Sequence, residues 1–437
     1  MYHDLTEGKI SRSLLLFALP MMAGNLLQQF YNIADTLIVG RVLGSNALAA
    51  VGSAYTLMTF LTSIFLGLSM GSGALFSIYK GKNDQDSLRN AIVHAFALIM
   101  AVTVLLNVLV YIGIDPILHF LRVPDEVWDG MKAYLLVIFA GIIATSLYNY
   151  FSCLLRALGN STIPLVFLAV SAVLNIGLDL LFVAVLPWGI RGAALATVIA
   201  QYVSGIGITL YVLLKCRDLL PSREDLQFNR QILGEIGNLS SMTCVQQSVM
   251  NFGILMVQGL VNSFGPVIMA AFAAVKIDTF AYLPVQDFGN AYSTFIAQNY
   301  GAGKKERIRK GTKESFLISF LFCIVISAVV CIFAAPLMRI FVSAKETAVI
   351  ASGVRYLRIE GAFYCGIGCL FLLYGYYRAV KKPGMSVILT VISLGTRVAL
   401  AYILSAYIGE TGIWMAIPIG WVLADVTGLV YMKFHEK

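Results

Sequence analysis

Twelve apolar runs, each long enough to cross a bilayer, follow one another along the 437 residues, and no other feature limits the fold so severely. They lie at roughly 13–40, 46–79, 88–113, 131–155, 162–186 and 190–214, and then at 232–261, 266–298, 314–340, 347–377, 384–408 and 412–433. Hydrocarbon about 30 Å thick offers the backbone no hydrogen-bonding partners, so only helices or closed barrels span it. A barrel would show short alternating segments, whereas these runs are apolar on every face. The predicted fold class is an all-α integral membrane protein with twelve transmembrane helices. A composition of 59% hydrophobic and 12% charged residues excludes an ordinary soluble domain.

Basic residues set the orientation, because Lys and Arg near span ends are retained on the cytoplasmic side. With the N-terminus inside, 21 of the 31 Lys and Arg fall in one set of loops, six in the other and four in spans. Both termini are therefore expected in the cytoplasm, with the chain multi-pass in the cytoplasmic (inner) membrane. The same distribution accounts for the net charge of +8 without a nucleic-acid partner.

The chain repeats itself. Leu27-Gln28-Gln29 matches Val245-Gln246-Gln247, and Ala49-Ala50 matches Ala270-Ala271. Tyr79 with Gly81 matches Tyr300 with Gly301, and Arg156-Ala157 matches Arg378-Ala379, all at an offset near 220. Six spans per copy leave the copies parallel, which predicts two pseudo-symmetric six-helix lobes around a central cleft. The expected division is 1–214 for the first lobe, 215–231 for a cytoplasmic linker and 232–437 for the second lobe, the linker carrying Pro221, Ser222 and mixed charge.

Asp35 and Asp179 are carboxylates inside apolar runs, and Asn175 stands one helical turn before Asp179. A charge in hydrocarbon costs at least about 2.5 kcal/mol, so such residues mark binding or relay sites. Asn25, Gln28, Asn32 and Asp35 are spaced to form one helical stripe, which must face protein or water. Asp35, Asp179 and Thr197 all fall roughly 9–12 Å from the outer ends of their spans at about 1.5 Å per residue. Two carboxylates sharing such a site favour a proton between them. The same carboxylates, with the Asn175 carbonyl and the Thr197 hydroxyl, equally offer hard oxygen ligands to sodium. Asn175 or Thr197 taken alone is explained as well by bonding between helices. Pro20 near the stripe admits either a bend during function or a static kink.

The segments Ala34-Asp35-Thr36-Leu37-Ile38-Val39-Gly40-Arg41, Leu48-Ala49-Ala50-Val51-Gly52 and Ala297-Gln298-Asn299-Tyr300-Gly301-Ala302-Gly303 resemble the multidrug and toxic compound extrusion (MATE) family of secondary transporters, and the resemblance covers essentially the whole chain. The Asn175-to-Asp179 spacing is similar to that of the DinF-like branch. The resemblance implies two bundles of six helices and export of cationic amphipathic compounds in exchange for protons or sodium. It also carries the cation-coupling role onto Asp35, Asn175, Asp179 and Thr197. The second copy departs from the first, since the offset puts Arg397 opposite Asn175 and Ala401 opposite Asp179. The carboxylate known in span 7 of the NorM-like branch is replaced near Gln246-Gln247. A buried Arg397 needs an anion, and pairing with Asp278 or Glu360 is predicted.

For the substrate, Asn25, Gln28, Gln29 and Asn32 in span 1 and Gln246, Gln247, Met250 and Asn251 in span 7 form the candidate lining of the cleft. Amide, Met and aromatic side chains adapt to flat cations, although any single one is as readily a packing or lipid-facing residue. Tyr148, Tyr292 and Tyr364 are read as packing. The seven Cys and four His show no metal-ligand or catalytic spacing. Gly301-Ala302-Gly303-Lys304-Lys305 lacks the spacing of a phosphate loop and fits an inside-positive loop better. No ATP, resident metal or cofactor is expected, only H+ or Na+ as coupling ion, and no cleavable signal peptide. The expected partners are small cationic substrates and membrane lipids, with the chain acting as a monomer. A flippase or exporter of a lipid-linked precursor is the nearest rival, but it should line its cleft with Arg and Lys. A channel needs a continuous polar pore and an enzyme needs a nucleophile or metal constellation, and the sequence displays neither.

Overall fold

The computed structural model describes residues 4–120, 125–221, 227–274 and 278–435, and among these every regular element is helical. The first half of the chain forms α1 (Ile10–Leu43), α2 (Ser45–Lys82), α3 (Gln85–Ile112), α4 (Ile114–Phe120), α5 (Asp125–Ile138), α6 (Ile142–Ala157), α7 (Thr162–Asp179) and α8 (Gly189–Lys215). The second half forms α9 (Arg230–Asn262), α10 (Pro266–Ala274), α11 (Thr279–Gly301), α12 (Lys305–Ile332), α13 (Ala334–Phe341), α14 (Thr347–Gly361), α15 (Tyr364–Ala379), α16 (Pro383–Ile408) and α17 (Glu410–His435).

Among the described residues ten helices are long and apolar enough to cross a membrane, and α14 with α15 makes an eleventh, bent by 51°. The remaining run, expected at 266–298, is divided between α10 and α11; its junction at 275–277, which includes Lys276, lies outside the described residues. The run expected at 314–340 is interrupted too, with α12 ending at Ile332 and the short α13 following. Apolar content does not distinguish a continuous helix from a broken one. Side chains such as Ile112, Val173, Val325 and Ile332 remain exposed, as a lipid-facing surface requires.

The chain forms two compact units, and their limits do not coincide with the expected linker. Leu19–Cys244 makes up the first; Leu5–Ala18 and Val245–Lys437 make up the second. The opening segment of α1 thus belongs to the second unit and the opening half of α9 to the first. Pro20 stands beside the α1 boundary. The repeat is visible in the packing of each unit. In the first, α2 packs on α6, α3 on α6 and α7 on α8; in the second, α11 packs on α15, α12 on α15 and α16 on α17.

Inside a membrane, helices associate through close packing and hydrogen bonds, because lipid tails are as apolar as leucine. Gly67 and Gly71 of α2 supply the close approach in the first unit. A Cβ on Gly71 would fall 2.5 Å from the carbonyl oxygen of Leu239 and 2.5 Å from the Ser240 Cα, both backbone atoms of α9. Ser240 Oγ donates to the Leu68 carbonyl at 3.0 Å and lies 2.9 Å from Ser72 Oγ. Around this contact Leu75, Phe76, Ile99, Tyr150, Leu154 and Ile236 form one core of the unit. A second core gathers Phe65, Met131, Leu135, Phe139, Val183 and Ala193, and it carries the end of α7 and the start of α8.

Candidate functional site

The end of α7 changes its hydrogen bonding. After Asp179 the chain runs through a π-helical turn, 180–185, before Leu186 becomes extended ahead of Pro187. Leu186 N–H donates five residues back to Leu181 O at 2.7 Å, and Trp188 N–H reaches Phe182 O at 3.0 Å. The rings of Phe182 and Trp188 stack with centroids 4.7 Å apart. A π turn adds a residue to the helical winding and frequently lies at a functional site.

Helix α8 lies tightly on this turn, since a Cβ on Gly192 would sit 3.0 Å from Phe182 O. Two further ties run along the same pair of helices. Asn175 Nδ2 donates to Thr197 Oγ1 at 3.2 Å, and Ser171 Oγ donates to the Ala200 carbonyl at 2.9 Å. Thr197 Oγ1 also donates to its own helix at Ala193 O, 3.2 Å away. Asn175 and Thr197 are therefore directly joined, with the Asn175 carbonyl turned away from that bond.

Asp35 of α1 and Asp179 of α7 meet as well, their carboxyl groups being side-chain hydrogen-bonding neighbours. Ionised carboxylates only accept, so this approach asks for a proton or a cation between them. Asp179 is fully buried and Asp35 half-buried. Among the described residues no group donates to either oxygen of Asp179, to Asp35 Oδ1 or to Asn175 Oδ1. Oxygens without donors in an apolar surrounding are costly as bare anions. Their chemistry suits one shared proton or one small hard cation. Tyr134, buried on α5, lies within electrostatic reach of both acids, and Tyr31 of α1 within reach of Asp35. The sequence gives no sign of Tyr134, because nothing in its spacing links α5 to this site.

The other candidates divide between the units. Asn25, Gln28, Gln29 and Asn32 are half-buried on the first-unit part of α1, and Gln28 bonds to Tyr31. Gln246 and Gln247 are buried on the second-unit part of α9, with Met250 and Asn251 half-buried beyond them. Asn251 Nδ2 is engaged by the Gln247 carbonyl at 3.2 Å.

The second unit builds a different polar group at the bend between α14 and α15. Glu360 precedes the bend, Tyr364 follows it, and Asp278 immediately precedes α11; all three are buried. Tyr364 donates its hydroxyl to Asp278 Oδ1. Glu360 neighbours Asp278 and receives the Tyr356 hydroxyl, while Tyr356 stands edge-on to Trp414 at 4.9 Å. Arg397 is half-buried and acts on both acids from a distance. The predicted direct pairing is not formed, as no ion pair within 4.0 Å among the described residues includes Arg397. Tyrosine hydroxyls take the place expected for the guanidinium, so Tyr364 is more than the packing residue the sequence suggested. Ala401, opposite Asp179 by the repeat, is fully buried and apolar.

The MatE family model matches residues 20–181 and again 241–403, two copies separated by the offset that the internal repeat displays. The chain is 29% identical to "Probable multidrug resistance protein YpnP" of Bacillus subtilis (strain 168), over 99% of this chain and 97% of that protein. It is 25% identical to "Probable multidrug resistance protein NorM" of Thermotoga maritima, over 96% of this chain and 90% of the relative. A solved structure described as the outward-facing conformation of a multidrug resistance MATE family transporter of the MOP superfamily superposes with a TM-score of 0.92. It is 23% identical, covers 98% of this chain and is itself covered over 96%.

Proposed function

The chain belongs to the MatE family, a membrane transporter and not an enzyme, and from that premise we propose that it is a secondary antiporter exporting cationic amphipathic compounds in exchange for protons or sodium ions. The observation that carries this reading is the meeting of Asp35 and Asp179 with no donor, among the described residues, to either oxygen of Asp179 or to Asp35 Oδ1. An acidic pair in a low-dielectric surrounding holds a proton or sodium ion, and loading the pair removes negative charge that would otherwise attract a cationic substrate. One pair then serves ion and substrate by turns. Asn175 and Thr197 hold α7 against α8 and offer oxygens beside the acids. Asn25, Gln28, Gln29 and Asn32 on α1, and Gln246, Gln247, Met250 and Asn251 on α9, are each proposed as substrate contacts. The proposed setting is the cytoplasmic membrane with both termini inside, the chain working as a monomer among lipids.

The test is export of a fluorescent cationic dye from cells stripped of their own pumps, comparing wild type with Asp35→Asn and Asp179→Asn at matched expression. Dye export by the wild type that both substitutions abolish is the expected result. Variants that keep pace with the wild type would make the acids structural and remove the coupling site. A wild type that moves no dye would set aside drug export in favour of a lipid-linked substrate. Everted vesicles energised with a pH gradient or a sodium gradient then identify the coupling ion.

A further inference from the structure

We propose that a basic cavity between the N-terminal strap, residues 5–10, and the start of α12 binds a phosphate-bearing anion at the membrane surface. The cavity is an open recess of about 570 Å³. Its walls carry Lys304, Lys305, Arg307 and Lys310 against a single acid, Glu306, with Ile10 of the strap closing one side. All of these residues belong to the second unit.

The strap fixes one wall of this recess. Arg307 donates to the carbonyls of Leu5 (3.2 Å), Glu7 (2.6 Å) and Gly8 (2.8 Å), and Lys304 Nζ donates to Thr6 O at 2.9 Å. Asn299 Nδ2 holds Leu5 O at 3.1 Å, and Glu314 accepts from Ser11 N–H at 3.0 Å. Leu5 is fully buried as a result. Lys305 and Lys310 stay exposed and enter no ion pair among the described residues.

The location selects the ligand. Lys305 opens a 28-residue helix whose apolar run begins only at about 314, which sets Lys310 about 6 Å and Lys305 about 14 Å outside the hydrocarbon and so brings the cavity to the outer headgroup layer on the face bearing the basic loops. Basic pockets beside spanning helices at that level suit the phosphates of anionic lipids. A preference for loops with many lysines explains the charge of this face but not its arrangement around a recess beside a tied strap. The inference is independent of the coupling ion and of the exported substrate.

The experiment measures binding of dihexanoyl phosphatidylglycerol and, separately, of inorganic phosphate to the purified full chain in neutral detergent. Wild type is compared with Lys305→Gln/Lys310→Gln, with Lys305→Arg/Lys310→Arg, and with Lys80→Gln/Lys82→Gln. The last pair removes equal charge at the corresponding loop of the first repeat, away from the cavity. The expected result is an affinity about tenfold lower in the 305/310 Gln pair, a few-fold for each lysine at an anionic surface. The Arg pair and the 80/82 pair should bind like wild type. Binding of the lipid alone assigns the cavity to headgroups, and binding of both probes assigns it to the phosphate group from either source. No binding by the wild type, or equal weakening by the 305/310 and 80/82 Gln pairs, overturns the proposal.

Discussion

Replacing Gly71 by Ala adds one methyl group where α2 and the opening half of α9 touch through their backbones. The new Cβ would lie 2.5 Å from Leu239 O and from Ser240 Cα, and 2.7 Å from Leu239 C. No rotamer change moves these atoms. To reach an ordinary carbon contact of about 3.5 Å the two helices must part by about 1 Å. That displacement carries the Ser72–Ser240 contact from 2.9 Å and the Ser240-to-Leu68 bond from 3.0 Å beyond useful range. Overpacking of this kind costs about 1–3 kcal/mol, and each interhelical hydrogen bond lost in a membrane protein about 0.6 kcal/mol. Ala is the better helix former by about 1 kcal/mol, so the proper reference is another Gly→Ala change. Gly234, in α9 with nothing within 4 Å of a would-be Cβ, provides it. The expected difference is about 2–4 kcal/mol, or about 2–4 °C in the midpoint of thermal unfolding in detergent for a chain of this length. Followed by the monodisperse fraction after heating, Gly71→Ala should fall well before Gly234→Ala. Midpoints within about 1 °C of each other would refute the reasoning, because a backbone contact that relaxes so cheaply is not holding α2 to α9.

Thr197→Val removes the acceptor of the Asn175 amide; transport should weaken several-fold with stability reduced by about 1 kcal/mol, and full dye export would separate Asn175 from the proposed coupling site. Tyr364→Phe deprives buried Asp278 of its hydroxyl donor and should destabilise by about 1–3 kcal/mol. Arg397→Ala, which breaks no ion pair within 4.0 Å among the described residues, should cost less in the same thermal assay, and the reverse order would restore the direct pairing predicted from sequence. Arg307→Ala should release the strap and raise trypsin cleavage at Lys9 and Arg12 several-fold, with unchanged cleavage showing that Leu5 and Lys304 suffice to hold it.

The apolar runs announce the helices, and the repeat at Gln28 and Gln246, or at Arg156 and Arg378, announces two related halves. The acids of the first unit are equally legible, because carboxylates seldom stand in hydrocarbon without a task. What sequence omits is geometry that depends on non-local packing. The bend after Glu360 leaves the hydropathy of the run unchanged, yet it sets Tyr364 on Asp278. The π turn after Asp179 follows from Pro187 and from the access that Gly192 gives to the backbone, and neither reads as such in a pattern of apolar residues. The polar segment at 215–231 has every local mark of a boundary. The compact units nevertheless divide inside α1 and α9, because contacts and not loop composition decide where a unit ends.

The strap has a consequence for synthesis. Residues 5–11 leave the ribosome some 300 residues before Asn299, Lys304, Arg307 and Glu314, which hold them. At about 5–20 residues per second this interval lasts roughly 15–60 s. During that time the nascent N-terminus sits at the membrane surface without its native partners. The second unit closes only when the earliest segment of the chain is joined to one of the later ones. A fragment ending in the 215–231 segment therefore carries a strap with nothing to grip, and two half-chains produced separately must trade helix ends before either is complete.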